Sequence, residues 1–365
     1  MKAVFIIIIV FLCLLILLCS DAAIAGASKG FEIFISGVFP ALFPFFVCIN
    51  ALKYTGAFAP AKSGTGNGGL AKAALKNFII AGLSGYPAGA MLSQASFPRN
   101  SKNAVSALND SEFGMLCAIT SLASPVFITG SVANRMLRNS VLALPVAVCH
   151  YGTALIFLTV FIIKHGRKRR NDKTDKIFHG IPESIPEETL PLPAVFPKAV
   201  SDSVFTMLRL GGTLIFFTVI TEILASWKIF NLIPAGLKGL FFGFFEITNG
   251  ISLIASVNMD LRFKCALICS LLSFGGVCVY MQAAGIADIR PGSYFSVKLL
   301  QSVVSGGLCY LIYPVLCPSS KPVLNLFGDT LGERILSMGE LVLLGILASA
   351  FAVLLSVFAS KRTKA

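Results

Sequence analysis

Two apolar stretches of the chain break where a membrane helix should run on, and they hold matching places in its two halves. The first is Gly82-Leu83-Ser84-Gly85-Tyr86-Pro87-Ala88-Gly89; the second is Glu246-Ile247-Thr248-Asn249-Gly250. Unwound backbone in lipid carries amide and carbonyl groups that bulk water cannot reach, so it persists only where protein or a wet cavity surrounds it. Interrupted hydrophobic segments at corresponding points of two repeats point to the substrate site of a carrier. A small-solute permease is therefore the leading expectation.

Composition fixes the class. Of 365 residues 56% are hydrophobic and 13% charged, about half the roughly 25% charge of soluble domains, and mean hydropathy is +0.83. A barrel would need alternating strands of about ten residues, whereas these runs are continuous. The reading is an all-α polytopic membrane protein. The net charge of +13 reflects basic loops and a basic C-terminus, as the positive-inside rule requires, and not nucleic-acid binding. The ten cysteines form no Cys-x-x-Cys pair and no Cys/His metal spacing, so neither disulfides, metal nor cofactor is expected.

Ten hydrophobic segments can be drawn, at 4–20, 31–54, 77–97, 112–132 and 141–164, then 202–226, 237–256, 263–285, 294–317 and 338–360. Most reach the roughly 20 residues that cross a bilayer. Residues 1–30 read as an uncleaved signal-anchor span, although Ala23-Ile24-Ala25 resembles a cleavage site. Residues 31–164 form a first repeat and 199–320 a second. Between them 165–198, with five prolines and a basic start, reads as a disordered cytoplasmic linker. Residues 321–365 give a last span and a basic tail. If 77–97 and 237–256 are re-entrant hairpins, about eight transmembrane helices remain and both termini are cytoplasmic. Twenty of the thirty Lys and Arg then lie inside, nine outside, and Arg209 within a span. The extra leading span makes the two repeats inverted, so one hairpin enters from each face.

The candidate site gathers at these breaks. Half-helix N-termini beside Gly85, Gly89 and Gly250 would aim N–H groups at an anion. Ser84, Tyr86, Thr248, Asn249 and Gln282 add hydrogen-bonding side chains, Pro87 the interruption itself. Arg209 is the sole basic residue deep within a predicted span. An intramembrane charge costs roughly 2.5–3.5 kcal/mol, so it is usually paired or functional. It could hold a carboxylate, pair with Glu222 or Glu246, or snorkel. Glu246 reads equally as a coupling-ion ligand or proton acceptor and as a helix cap, and His150 as a proton relay or, more commonly, a packing histidine.

The ordered motifs Phe-Pro-Ala-Leu-x-Pro-Phe (39–45), Ser-Gly-Tyr-Pro-Ala-Gly-Ala (84–90) and Ser-Pro-x-Phe-Ile-x-Gly (124–130) resemble the YlbJ-type sporulation integral membrane proteins. The second half adds Phe-Glu-Ile-Thr-Asn-Gly (245–250) and Ser-Phe-Gly-Gly-Val (273–277), with Gln282 downstream. That family falls in the nucleoside-recognition (Gate) group, related to concentrative nucleoside transporters. The resemblance implies a role in endospore formation, with dipicolinic acid as cargo, and adds Ser124, Pro125, Gly275 and Gly276 to the site. The chain departs from the family pattern at Ser124, Cys278 and Tyr280. Expected partners are a small-molecule or ion substrate, the bilayer of a bacterial cell membrane, and other sporulation membrane proteins or a second copy.

Two alternatives stand beside the carrier: a membrane scaffold for sporulation, and an intramembrane serine protease. The second rests on Gly82-Leu83-Ser84-Gly85 with His150 as base, but Tyr86-Pro87 falls where a catalytic helix should continue. No Walker motif is present, which disfavours ATP-driven transport by this chain alone. Cysteine labels at positions 67 and 170 should report the same compartment; opposite compartments would refute eight crossings.

Overall fold

Long apolar runs without water to satisfy their backbone have one economical solution, the helix, and in the computed structural model every regular element is helical. The structure describes residues 2–56, 67–97, 108–171 and 190–317. The C-terminal span at 338–360 and most of the linker lie outside the described residues. Among the described residues, five helical stretches are long and apolar enough to cross a bilayer.

The N-terminal helix α1 (Lys2–Leu18) gives way at Cys19 to α2 (Ser20–Ile33). A π turn at Phe34–Val38 leads into α3 (Phe39–Tyr54). The second rod thus begins at Ser20, eleven residues before the start drawn from hydropathy, and runs to Tyr54 as one 35-residue candidate span. Polar Ser20, Asp21 and Lys29 concealed its start. Lys29 pairs with Glu222 of α8 (Leu192–Ser226), while Gly26 and Gly30 let the two backbones close. A Cβ on them would sit 2.8 and 2.9 Å from Val219 and Ile215 Cα. Small residues at contacts are how helices approach in lipid.

Next come α4 (Asn67–Ser84) and α5 (Ala88–Ser96), folded against one another. Asn77 Nδ2 donates to Leu92 O at 3.2 Å and Ser96 Oγ to Asn77 Oδ1 at 3.1 Å, which makes the pair antiparallel about Gly85–Pro87. After α6 (Asp110–Thr120), capped by the reciprocal Asn109–Glu112 box, the chain runs unwound through 121–124 into a π-helical segment, Phe127–Met136. Then α7 (Ala143–Asn171) crosses back.

The second half repeats this order. After α8 comes the hairpin α9 (Ala235–Phe245) and α10 (Ile247–Ser256), then α11 (Leu261–Phe274), α12 (Gly276–Ala284) and α13 (Pro291–Leu316). The hairpin closes on glycine: a Cβ on Gly250 would lie 2.3 Å from Gly243 Cα, and one on Gly239 2.6 Å from Ile254 Cγ1.

Two differences from the sequence reading stand out. Helix α7 extends to Asn171 and α8 starts at Leu192, so both ends of the segment read as linker are helical. The spans drawn at 112–132 and 263–285 are not continuous rods, because each is interrupted midway. Forcing a methyl into Gly89 or Gly250 should cost roughly 1–3 kcal/mol of overpacking. Gly89→Ala and Gly250→Ala are expected to unfold several degrees earlier in detergent, whereas Gly212→Ala and Gly307→Ala, with no atom within 4 Å of the new carbon, should match wild type.

Candidate functional site

Four interruptions of helix meet in the middle of the molecule, and the first is the tip of the α4–α5 hairpin. Gly85 adopts φ +85°, a left-handed turn that excludes most side chains. Ser84 Oγ folds back onto Ile80 O at 2.7 Å. Gly89 lies so close to the end of α6 that a Cβ would be 2.2 Å from Thr120 O.

At the tip of the α9–α10 hairpin Glu246 alone is extended, and its buried carboxylate caps α10. Oε1 accepts from Thr248 N at 3.0 Å and Oε2 from Asn249 N at 2.8 Å. The chain's own carboxylate therefore occupies the helix N-terminus beside Gly250 that the sequence reading offered to an anionic ligand. Asn249 turns away and donates from Nδ2 to Thr221 Oγ1 of α8 at 2.8 Å.

The other two interruptions are the unwound residues 121–124 after α6 and the Gly275–Gly276 pair after α11, with φ of +85° and +79°. Signals for both were present in the sequence: Ser124 precedes Pro125, which disfavours helix, and two successive glycines invite left-handed backbone. Each interruption packs on a hairpin. A Cβ on Gly85 would lie 3.1 Å from Ser124 Cβ, and one on Gly276 3.1 to 3.3 Å from the carbonyls of Gly243, Phe245 and Phe244.

Side chains from across the molecule satisfy the freed backbone. Ala123 N–H donates to His150 Nε2 at 3.1 Å, so the ring proton sits on Nδ1, which donates to Ser273 Oγ at 2.9 Å. His150 thereby ties the first interruption to the second. Tyr151 OH donates to Ala123 O at 2.7 Å, Lys298 Nζ to Ser121 O at 2.7 Å, and Tyr294 OH to Ser121 Oγ at 3.0 Å. From the first hairpin Tyr86 OH reaches Leu272 O at 2.5 Å.

A cavity of about 60 Å³ lies where these elements converge. Of the expected site residues, Gly85, Tyr86, Ser124, Glu246, Thr248 and Gln282 line it. Sequence reasoning missed the apolar wall of α3 and α8, Leu42, Leu210 and Leu214, together with Phe127 and Cys278. Gln282 Nε2 donates to Cys278 Sγ at 3.4 Å. Ser84, Pro87, Gly89, Pro125, Asn249, Gly250, Gly275 and Gly276 do not line the cavity; they shape or pack the interruptions around it.

Arg209 departs furthest from its expected place. It is exposed on α8 beside the outward-facing Leu208, and lines no part of the cavity. Its supposed partners are engaged elsewhere, Glu222 with Lys29 and Glu246 with the α10 amides. Lys298, near the start of the span drawn at 294–317, is wholly buried. The protease pairing is not made either, since Ser84 bonds to Ile80 O while both His150 nitrogens are engaged with Ala123 and Ser273. Among the described residues no group of three His, Cys, Asp or Glu side chains could hold a metal.

The Tyr86–Leu272 bond gives a clean test. Tyr86→Phe leaves a buried carbonyl unpaired, which costs about 1–3 kcal/mol, so a lowered unfolding temperature is expected. Tyr310→Phe, on an exposed side chain, should leave it unchanged. Equal stability of Tyr86→Phe and wild type would mean that the hairpin is not anchored there.

No family model matches the chain. It is 29% identical over 334 aligned residues to the sporulation integral membrane protein YlbJ of Bacillus subtilis (strain 168), an alignment covering 80% of this chain and 77% of that protein. Together with the candidate membrane spans among the described residues, this similarity over most of both sequences supports a multi-pass membrane protein related to that sporulation protein.

Proposed function

We propose that the chain serves endospore formation as a secondary carrier or facilitator for a small polar solute. In this reading the hairpins α4–α5 and α9–α10 are re-entrant gates of two inverted repeats. The observation that carries it is the cavity itself, at which both hairpin tips and both interrupted helices meet. A scaffold has no evident need for four helix interruptions around one cavity that carries a few polar side chains on an apolar wall, and carriers place broken helices at the bilayer midplane for solute contact.

The size and charge of the lining narrow the proposal. Ligand pockets for organic solutes run to about 300–1,000 Å³, so a cavity of about 60 Å³ is a closed state and the tips must part to admit cargo. The lining holds Glu246 and neither Lys, Arg nor His. A free anion would meet a carboxylate and no fixed positive charge, so the anionic cargo expected from sequence loses the groups that were to hold it. Dipicolinic acid, the cargo implied by family resemblance, fits this lining only in a neutralised form, protonated or escorted by a cation.

The scaffold reading needs only what the homologue's name carries, sporulation and the membrane. Uptake of labelled dipicolinate and of nucleosides into proteoliposomes separates the two. The carrier reading predicts saturable flux of one of them, reduced roughly tenfold in Gln282→Ala by loss of a hydrogen bond worth about 1–1.5 kcal/mol, with insertion unchanged. No saturable flux of either probe, with sporulation impaired only by loop substitutions, would favour the scaffold.

A further inference from the structure

A second polar cluster lies apart from the central cavity, in the seam between α7, α13 and the two helix interruptions. It is lined by His150, Thr153, Ser273, Lys298 and Gln301, with Leu122 and Ala154 closing it. Lys298 is 0% exposed. Its Nζ donates to Ser121 O at 2.7 Å, the first carbonyl beyond the end of α6. The helix dipole places partial negative charge at such a C-terminus.

Two further oxygens of the seam lack donors. Thr153 Oγ1 and Gln301 Oε1 are buried and have no hydrogen-bond partner among the described residues, and Thr153 and Gln301 are 0% and 2% exposed. An unwound carbonyl at a half-helix C-terminus, joined by two neutral side-chain oxygens, is the donor set that cation-coupled carriers use for Na⁺. Here the seam leaves no space for a water-sized body, because the Lys298 side chain fills it. The methylene stem runs past Gly275, whose hypothetical Cβ would be 3.7 Å from Lys298 Cε, so the ammonium is brought to the first interruption across the second.

We infer that Lys298 is a tethered cation standing in the position of a coupling ion, so that the protein holds its two interrupted helices together without Na⁺. This deepens the carrier reading, on which its meaning for coupling rests, but it can be tested without measuring flux. The ammonium gives one hydrogen to Ser121 O, and the two unpartnered oxygens lie in the lining of the same seam. The covalent tether means that the cation cannot leave with the solute. A carrier so built draws nothing from a sodium gradient.

The test is thermal unfolding of the purified chain in detergent, with NaCl, KCl or choline chloride at equal ionic strength. Wild type is expected to unfold at the same temperature in all three. Lys298→Ala should unfold several degrees lower in choline and recover part of that loss in Na⁺, K⁺ or methylammonium, each small enough to enter the vacated seam. Selective stabilisation of wild type by Na⁺ would overturn the inference, as would Lys298→Ala that folds yet responds to no added cation. If Lys298→Ala does not fold, Lys298→Gln decides, since it keeps a donor near Ser121 O but lacks the charge. Wild-type stability of that variant overturns the inference, and a loss partly restored by methylammonium supports it. Absent solute flux with this cation pattern intact would remove the carrier reading and leave the tethered cation standing; flux that requires Na⁺ would do the reverse.

Discussion

Backbone groups freed by an interrupted helix cannot be left bare in an apolar interior, where each unpaired one costs several kcal/mol. Much of this molecule's architecture follows from how its four interruptions meet that demand. The hairpin tip at Glu246 is self-sufficient, because the carboxylate caps the helix that follows it. The interruption at 121–124 is not. It depends on His150 and Tyr151 from α7 and on Tyr294 and Lys298 from α13.

These bonds also couple the two halves. His150 holds Ala123 in the first half and Ser273 in the second, while Tyr86 on the first hairpin holds Leu272 beside the second interruption. Moving the first hairpin away from the cavity therefore strains a bond to the opposite half. Close glycine contacts make the elements stiff units, since neither α9–α10 nor the α5–α6 junction has room for a methyl group. Stiff units joined by a few exchangeable hydrogen bonds move as bodies between discrete arrangements, the mechanical property that proposed gating requires.

Much of this was legible in the sequence because glycine and proline have local consequences. Gly85, Tyr86-Pro87 and Glu246 mark the hairpin tips directly, and Gly85, Tyr86 and Glu246 line the cavity. Pro125 and Gly275-Gly276 carried signals of equal quality, yet sat within runs apolar enough to pass for uninterrupted spans. Arg209 misled because depth within a hydrophobic segment says nothing about which face of the helix a residue occupies. Lys298 shows the converse. On α13 the buried residues Tyr294, Lys298, Gln301 and Ser305 recur at spacings of four, three and four, a polar stripe between exposed Leu299, Leu300, Val303 and Val304. Helical periodicity could have placed that lysine inward; a count of charges by loop could not.

The central claim is that side chains from neighbouring helices of both halves secure the interrupted backbone, with His150 linking Ala123 to Ser273. Hydrogen–deuterium exchange on the chain in lipid nanodiscs, comparing wild type with His150→Ala, addresses it most directly. The account predicts slow exchange at 121–124 and 271–276 in wild type. Both segments should speed up together in the variant, while the outer turns of α13 keep their protection. Fast exchange at these segments in wild type, or acceleration of one segment without the other, would contradict it.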